Sequence, residues 1–287
     1  MEAQPGIGTR WPSGPTEQLP SAVRFTSVRA TWLTDVHLNF PGEARLVSFL
    51  AAVTREAPDV ILVTGDTAES ADVVSFVERM SRIAPLYFVL GNHDFYGSSI
   101  ADVRSRASAT KRWLPALGPI RLTAATTLLG VDGWGDARCG NLKSRIMLAD
   151  WHLIRDLQGM LAPSRIEALQ ALGAQEASTL REQLARLEPC PELLVLTHVP
   201  PFAEACWHNG KQSEANWLPW FTCIAVGDAL LDYARRTPTT KITVICGHTH
   251  GRGEYRAADN LLVRTGGWAP GETDYGNPIV QASWTLA

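Results

Sequence analysis

The segment Val244–His250 places two histidines, His248 and His250, directly after an apolar run that is typical of a buried strand. On an extended chain, residues i and i+2 project to the same side, so the spacing predicts that both imidazoles face one region. Imidazole is a common protein ligand for zinc, manganese and iron. The pair therefore indicates a metal site at the end of this strand, provided that other strand ends carry matching ligands.

Matching polar residues follow four other apolar runs of the chain. Carboxylate, imidazole and amide oxygen donors together suit two borderline metal ions. In open α/β sheets, functional sites form at the carboxyl ends of the strands. The candidate residues after these four runs are Asp35, His37, Asp66, Asn92, His93 and His198. The sequence therefore predicts a metal centre assembled from five strand ends.

The elements that must position these residues alternate along the chain between short apolar strands and longer helical patterns. This alternation is the signature of an α/β layer architecture. The predicted strands are Arg29–Thr34, Val60–Thr64, Leu86–Leu90, Thr127–Val131, Leu193–Leu196, Val244–His250, Leu261–Thr265 and Ile279–Thr285. The predicted helices are Glu43–Ala57, Asp72–Ile83, Ser98–Trp113, Leu161–Leu187 and Ala225–Arg236, and Phe202–Phe221 is predicted as a loop-like insertion.

The domain organisation follows from composition. Residues 1–21 are rich in Pro, Gly and polar residues without an apolar stretch, which predicts a disordered tail and not a secretory signal. No repeat or low-complexity linker interrupts the remaining chain, so residues 22–287 are predicted to form a single domain.

The order of the polar motifs resembles that of the calcineurin-like metallophosphoesterase superfamily. The motifs that carry the resemblance are Asp35-x-His37, Gly65-Asp66, Gly91-Asn92-His93-Asp94, a lone His198 and Gly247-His248-x-His250. They span about three quarters of the chain. The resemblance implies a four-layer αββα sandwich with two mixed β-sheets, and a site for two metal ions at the carboxyl ends of the central strands.

The resemblance also implies a role for each candidate residue. The ligands of the first ion would be Asp35, His37 and His250, those of the second ion Asn92, His198 and His248, and the bridging ligand Asp66. The histidines of the Val244–His250 segment would therefore bind different ions. This ligand set accepts Mn²⁺, Fe or Zn²⁺, and the identity of the metals stays open.

His93 matches the catalytic acid of the superfamily. Two ions roughly 3.5–4 Å apart can share a bridging hydroxide that attacks phosphorus in line with the leaving group. The ions (+4), two aspartates (−2) and hydroxide (−1) leave about +1, which attracts a phosphate anion. The leaving oxygen needs a proton, which His93 is placed to give. The sequence thus predicts metal-dependent phosphoester hydrolysis without a covalent enzyme intermediate.

Glu69 marks a departure from the superfamily, which commonly has an aspartate there to orient the catalytic histidine. Glutamate keeps the charge and reaches one methylene farther, so the same role is one interpretation. A solvated glutamate at the start of a helix is the alternative, and Asp94 is a competing partner for His93. Ser70 stands where protein Ser/Thr phosphatases carry a phosphate-gripping arginine, which argues against a phosphoprotein substrate.

Two stretches hold candidate substrate contacts. Trp134, Arg138 and Arg145 could bind a second phosphate or a sugar, although a solvated loop is the commoner meaning of such charges. Trp207 and His208 belong to the insertion after His198. Tryptophans of that insertion could stack a nucleobase, worth about 1–3 kcal/mol per base, or could simply anchor a long loop.

The favoured substrate is a small phosphodiester or nucleotide-type molecule. A phosphomonoesterase and a single-strand nuclease are the alternatives of the same fold, and a non-catalytic binding module is the alternative of another class. The net charge of −3 and the absence of a basic stripe argue against double-stranded nucleic acid as a partner. No run approaches the roughly 20 apolar residues that cross a bilayer. Five cysteines without C-x-x-C spacing favour a cytoplasmic protein. The oligomeric state is open.

Overall fold

The structure is a computed structural model that describes residues 27–268 and 278–287. The predicted disordered tail, residues 1–21, lies outside the described residues.

The first sheet contains four strands, which are β1 (Val28–Leu33), β2 (Val60–Thr64), β3 (Leu86–Val89) and β12 (Ala282–Leu286). Their order in the sheet is β12-β1-β2-β3, with β1, β2 and β3 parallel and β12 antiparallel to β1. Every residue of β2 is buried, as expected for a central parallel strand that is covered on both faces.

The second sheet contains β4 (Ile120–Arg121), β5 (Thr126–Gly130), β6 (Glu192–Leu196), β9 (Lys241–Cys246), β10 (Gly253–Ala258) and β11 (Leu261–Thr265). Their order is β10-β11-β9-β6-β5-β4, and the four inner strands are parallel whereas both edge strands are antiparallel. The two edge strands of this sheet, β10 and β4, were not predicted from the sequence. β10 carries the polar sequence GEYRAA and β4 has two residues, so neither shows the apolar run that identified the inner strands.

The longer helices are α1 (Glu43–Arg55), α2 (Asp72–Met80), α3 (Ile100–Ala109), α6 (Ala162–Ala185) and α8 (Ile224–Arg236). Each lies within a predicted helical stretch or within one residue of it. The prediction for α3 was too long at its start because Ser99 caps the helix, accepting a hydrogen bond from the Asp102 amide at 3.2 Å. Single-turn helices are α4 (Leu114–Leu117), α5 (Asp150–Leu153) and α7 (Leu218–Phe221).

The segment Phe202–Phe221 is not a featureless loop. It contains a short hairpin, β7 (Trp207–His208) with β8 (Lys211–Gln212), and ends in α7. The loop prediction was wrong here because two-residue strands and a single helical turn are too short to show a hydrophobic period.

Within residues 27–268 and 278–287, three hydrophobic cores separate four layers. On β2, Ile61 and Val63 pack with α1 and α2, whereas Val60 and Leu62 pack between the sheets, as alternation along a strand requires. On β6, residues 193 and 195 pack under α6 and α8 and residues 194 and 196 face the first sheet. The predicted four-layer αββα sandwich with two mixed sheets is confirmed.

A buried ion cluster ties α3 and α6 to the end of β5. The Arg104 guanidinium lies 3.2 Å from the Asp132 carboxylate and also pairs with Glu176. Asp132 accepts a hydrogen bond from the Leu90 amide through its side chain, and from the His198 amide through its carbonyl, each at 2.8 Å. Because Leu90 precedes the Gly91-Asn92-His93 motif, this cluster supports two of the turns that carry candidate ligands.

We expect Arg104→Ala to lower the free energy of unfolding by about 3–5 kcal/mol, because two carboxylates would stay buried without their cation. The measurement is urea unfolding, with Arg79→Ala as the matched control. Arg79 pairs with Glu43 at 3.1 Å, with side chains 37% and 73% exposed, so its loss should cost at most about 1 kcal/mol. A loss below about 1 kcal/mol for Arg104→Ala would contradict a supporting role for the cluster.

Candidate metal centre

The first group of candidate ligands comes from the turns after β1, β2 and β9. Donor atoms of Asp35, His37, Asp66 and His250 all lie within 4.8 Å of one another. His250 Nε2 is 3.4 Å from Asp35 Oδ1, and His37 Nε2 is 3.8 Å from Asp66 Oδ2. All but His250 are buried, so the group can surround one ion on the protein side.

The second group comes from the turns after β3, β6 and β9. Asn92 Oδ1 lies 2.9 Å from His248 Nδ1 and 3.1 Å from His198 Nε2. Asp66 Oδ1 is 3.4 Å from the same His198 nitrogen. One carboxylate therefore faces both groups, with Oδ1 toward the second and Oδ2 toward the first.

The hydrogen bonds of His198 and His248 to backbone carbonyls each use one ring nitrogen, so the other nitrogen of each ring is available to bind a metal. The Thr64 carbonyl accepts from His198 Nδ1 at 2.8 Å, and the Trp220 carbonyl accepts from His248 Nε2 at 3.2 Å. In the neutral rings, the lone pairs of His198 Nε2 and His248 Nδ1 therefore point at the Asn92 oxygen. Three acceptors that converge on one point are the arrangement that a cation satisfies.

A second observation tests the fit of a metal. Asp66 Oδ2 is buried and accepts no hydrogen bond from any residue within 27–268 or 278–287. A buried carboxylate oxygen without a donor is costly. A cation between Asp66 and His37 would compensate that oxygen, so the residues present fit a metal at this position as well.

The buried histidines of the site differ in the direction in which their pKa values are shifted. Burial lowers the pKa of His37 and of His248 to about 3, so both imidazoles are neutral and ready to bind at neutral pH. Burial also disfavours the cation of His198, but the charge and hydrogen bond of Asp66 outweigh it and raise the pKa of His198 to about 10. In the metal-free protein a proton on His198 thus supplies positive charge that a metal would otherwise bring.

The backbone at the candidate ligands is strained. Residues with left-handed φ angles include Asp35 (51°), His37 (43°), Asp66 (51°), His248 (70°) and His250 (58°). This conformation is uncommon outside glycine and costs of order 1–3 kcal/mol per residue. Strain that concentrates at five of the candidate ligands is typical of a functional site.

The same geometry corrects one prediction from the sequence. β9 ends at Cys246, and His248 and His250 lie beyond it in left-handed turns, not on an extended segment. The expectation that both histidines lie on an extended segment was therefore wrong. His248 joins Asn92 and His198, and His250 joins Asp35 and His37, which is the division that the family resemblance implied.

Two motif glycines allow the ligand turns to approach each other. A Cβ atom at Gly91 would lie 2.1 Å from Asp66 Oδ1, and one at Gly247 would lie 2.2 Å from Asp35 Oδ2. Neither contact is compatible with any side chain. The glycines therefore precede Asn92 and His248 because a neighbouring ligand occupies the space of their side chains.

The comparison with known families agrees with this geometry. The family model described as calcineurin-like phosphoesterase matches residues 28–252. The chain belongs to this family. Solved structures with a similar fold include a dimetal phosphatase.

Two solved structures share the fold of this phosphoesterase. A phosphopantetheinyl hydrolase from Mycobacterium tuberculosis is 14% identical, with a TM-score of 0.64 over 85% of this chain and 90% of that one. A dimetal phosphatase from Danio rerio is 13% identical, with a TM-score of 0.51 over 86% of this chain and 89% of that one. At these identities the likeness extends to the fold alone.

A relative from Danio rerio, named a transmembrane protein with metallophosphoesterase domain, is 30% identical over 92 residues. A relative from Bos taurus with the same name is 30% identical over 98 residues. The alignments cover about a third of this chain, and about a fifth (21%) of each relative. In the part of the phosphoesterase that the structure describes, no helix has the length and apolar character needed to cross a bilayer.

Asp94 follows His93 but has a different task. Its carboxylate accepts four backbone N–H groups at 2.7–3.0 Å, from Gly91, Asp66, Thr67 and Ala68. We interpret Asp94 as the residue that holds the Asp66 turn in its left-handed conformation. Glu69, the other candidate partner of His93, lies just before α2, where its carbonyl accepts from the Asp72 amide at 3.0 Å. Glu69 is not among the residues that line the cavity.

His93 lies at the boundary between the candidate ligands and an open cavity of about 620 Å³. Its side chain is 19% exposed, and Nε2 is 4.0 Å from Asp66 Oδ2. The ring packs against Tyr96 with centroids 4.3 Å apart. The cavity is also lined by residues 147–150, by residues 208, 209 and 211–214, and by Trp217 and Phe221.

The structure brings only one of the predicted substrate residues, His208, to this cavity. Trp134 is buried against Phe95, with ring centroids 5.1 Å apart. Arg138 pairs with Asp136 at 3.3 Å and donates to the Gln170 carbonyl.

The other two predicted contacts also lie away from the cavity lining. Arg145 is exposed elsewhere. The indole of Trp207 packs over Gly253 of β10, so it anchors the hairpin. Sequence reasoning missed Tyr96, Met147, Asp150 and Phe221 as cavity residues. No periodic pattern or motif in the sequence distinguishes them from ordinary loop or core residues.

We expect the metal-free phosphoesterase to lose stability in acid through His248. The unfolded pKa is 6.5 and the folded value is about 3, so below pH 6.5 only the unfolded chain binds this proton. Stability therefore falls as pH falls, and His248 alone contributes about 1.4 kcal/mol per pH unit between pH 5.5 and 4. Urea unfolding with a chelator present should show a slope that is shallower by about this amount in His248→Gln.

His152→Gln is the matched control, since His152 is exposed and outside the cavity lining. Its slope should equal that of the wild type. An unchanged slope in His248→Gln would contradict the burial of a neutral imidazole at this position.

Proposed function

We propose that this phosphoesterase hydrolyses a small organic phosphodiester or nucleotide-type phosphoester at a site for two metal ions. The observation that carries the proposal is the pair of donor groups that share the Asp66 carboxylate. The proposed ligands are Asp35, His37, Asp66 and His250 for one ion, and Asp66, Asn92, His198 and His248 for the other. Mn²⁺, Fe and Zn²⁺ all suit these donors.

Two bound ions would supply the hydroxide nucleophile and would neutralise the phosphoryl oxygens. The residues of the chain perform the remaining tasks. Asp66 holds the two positions at a fixed separation because its oxygens face opposite groups. His93 lies at the cavity side of Asp66, where a protonated imidazole can donate to the leaving oxygen. Tyr96 restricts the His93 ring by packing against it.

The size and lining of the cavity support an organic substrate. A volume of about 620 Å³ is in the range of sites that bind drug-sized molecules, far more than a phosphate group needs. Trp217 and Phe221 stack with ring centroids 5.0 Å apart and line the cavity, as does Met147. These side chains suit a flat group such as a nucleobase, for which aromatic stacking is worth about 1–3 kcal/mol.

The charges of the cavity favour a small substrate over single-stranded nucleic acid. Among the described lining residues, Lys211 is the one lysine or arginine, and Glu214 lies on the same loop. A groove that follows a nucleic-acid backbone uses several cations to contact successive phosphates. The cytoplasmic location expected from the cysteines remains part of this proposal.

We expect His93→Ala to reduce kcat about 10²–10⁴-fold on an alkyl phosphodiester, whose leaving oxygen needs a proton. An activated aryl ester should lose much less, because its leaving group departs as a stable anion. The assay uses protein that has been stripped with a chelator and reloaded with Mn²⁺, with metal content measured for every variant. His152→Ala is the control and should retain both activities.

The outcomes separate the alternatives. Full metal content together with full activity of His93→Ala on the alkyl ester would remove His93 from the mechanism. Wild-type protein that binds two ions but turns over no ester of any class would favour the non-catalytic binding module.

A substrate panel tests the class of substrate. It contains cyclic nucleotides, dinucleotides, single-stranded nucleic acid, phosphomonoesters and a phosphopantetheinyl ester, which is included because the Mycobacterium tuberculosis neighbour is named for that substrate. We expect Trp217→Ala to lower kcat/KM about 5–150-fold for the best nucleotide substrate, the equivalent of about 1–3 kcal/mol of stacking. A small alkyl phosphodiester should be unaffected.

The control is Leu161→Ala, an apolar residue that is 78% exposed and outside the cavity lining. An equal loss on the nucleotide and the alkyl ester would contradict base stacking by Trp217. A phosphomonoester or single-stranded nucleic acid as the best substrate would replace the proposed substrate class.

A further inference from the structure

Asp150 contacts the proposed site from a part of the chain that belongs to none of the metal-binding motifs. It is the first residue of α5 and is buried, and it lies on the wall of the cavity. Its Oδ1 atom accepts two hydrogen bonds, from Asn92 Nδ2 at 2.8 Å and from the Tyr96 hydroxyl at 2.6 Å. Asp150 is thus in direct contact with a proposed ligand of the second ion.

The contact determines which end of the Asn92 amide faces the histidines. An amide side chain has a donor end and an acceptor end of nearly equal size, and rotation by half a turn exchanges them. An ionised carboxylate accepts hydrogen bonds only, so Asp150 selects the orientation in which Nδ2 points toward it. Oδ1 then points toward His198 and His248, which lie 3.1 Å and 2.9 Å away. The opposite orientation would present N–H groups to a metal and would exclude it.

Asp150 also differs from the other neighbours of the second group in its charge. Asn92, the neutral His248 and a deprotonated His198 contribute no charge, and Asp66 is shared with the first group. The first group has Asp35 in addition. The Asp150 carboxylate, one amide group away, therefore adds to the negative charge that the second group has from the shared Asp66.

Tyr96 extends the same arrangement toward His93. The hydrogen bond of the Tyr96 hydroxyl to Asp150 fixes the ring that packs against His93 at 4.3 Å. One carboxylate oxygen thus anchors both a proposed ligand and the support of the proposed acid.

We propose that Asp150 is a positioning residue that holds the Asn92 amide oxygen toward the second ion and thereby sets the affinity for that ion. This inference rests on the proposed dinuclear site. It is a statement about metal binding, and its test needs no substrate.

The experiment titrates chelator-stripped protein with Mn²⁺, using calorimetry for affinity and electron paramagnetic resonance to distinguish single ions from coupled pairs. Loss of a residue that orients a metal ligand typically weakens binding about 10–100-fold. We expect Asp150→Ala to weaken the second binding event by that factor and the first by less than about threefold. At intermediate Mn²⁺ the variant should show isolated ions where the wild type shows pairs.

Asp150→Asn separates orientation from charge and is nearly isosteric. It keeps an acceptor oxygen but has no charge, so we expect a weakening smaller than that of Asp150→Ala. The matched control is Asp156→Ala. Asp156 lies six residues later, accepts a hydrogen bond from the Ile100 amide at 2.8 Å and is not among the residues that line the cavity. Thermal unfolding of each metal-free variant confirms that it is folded before titration.

The titrations of the wild type and of the two Asp150 variants distinguish the following outcomes. Selective weakening of the second ion supports the proposal. Wild-type affinity for both ions, or equal weakening of both in a folded variant, would overturn it while leaving the dinuclear site intact. A wild-type protein that binds fewer than two ions would instead contradict the proposed function itself.

Discussion

The Asp66 carboxylate is the interaction on which the site depends. It must lie between two sets of donors, each of which draws on strand ends of both sheets. It can do so only if the turn after β2 is held in a left-handed conformation. Asp94 supplies that support by accepting four backbone N–H groups from the Asp66 turn and from Gly91. Gly91 in turn must lack a side chain because the Asp66 oxygen occupies its space. The types and conformations of the residues around Asp66 are thus constrained by the position of its buried carboxylate.

The two-sheet sandwich explains why so many separate turns reach one point. Parallel strands place their carboxyl ends at the same edge, and the packing of two such sheets brings two edges together. The Arg104 cluster adds a link at the base of the site, because Asp132 bonds to the amides of Leu90 and His198, one from each sheet. Precision at the site therefore depends on packing between layers as well as on the turns themselves.

Much of the fold and of the proposed ligand set could be predicted from the sequence, because both leave short-range patterns. Apolar runs that end in Asp, Asn or His identify inner strands and their polar ends, and the motif order identifies the family. The geometry of His248 and His250 could not be predicted from periodicity, since a left-handed turn leaves no period. The lining of the cavity was also missed, because Met147, Asp150 and Phe221 acquire their meaning from packing between distant segments.

The prediction that Arg138 contacts the substrate was wrong. The prediction rested on the charge of Arg138 and on its position after a strand. The side chain instead pairs with Asp136 and donates to the Gln170 carbonyl, so it links its loop to α6. A cation is equally suited to a phosphate and to a structural carboxylate. Only the three-dimensional neighbourhood distinguishes the two, and the sequence around Arg138 carries no trace of α6.

The left-handed backbone at the candidate ligands has a consequence for how this protein can change. Glycine at Asp35, His37, Asp66, His248 or His250 would relieve backbone strain while removing a donor atom. Substitutions that relieve strain at these positions therefore act against function, and selection for thermal robustness alone would erode the site first. The three turns that hold these five residues are the part of the molecule where stability and catalysis make opposite demands. Substitutions that raise stability without loss of function must therefore lie in the packed helix and sheet layers and not in the site.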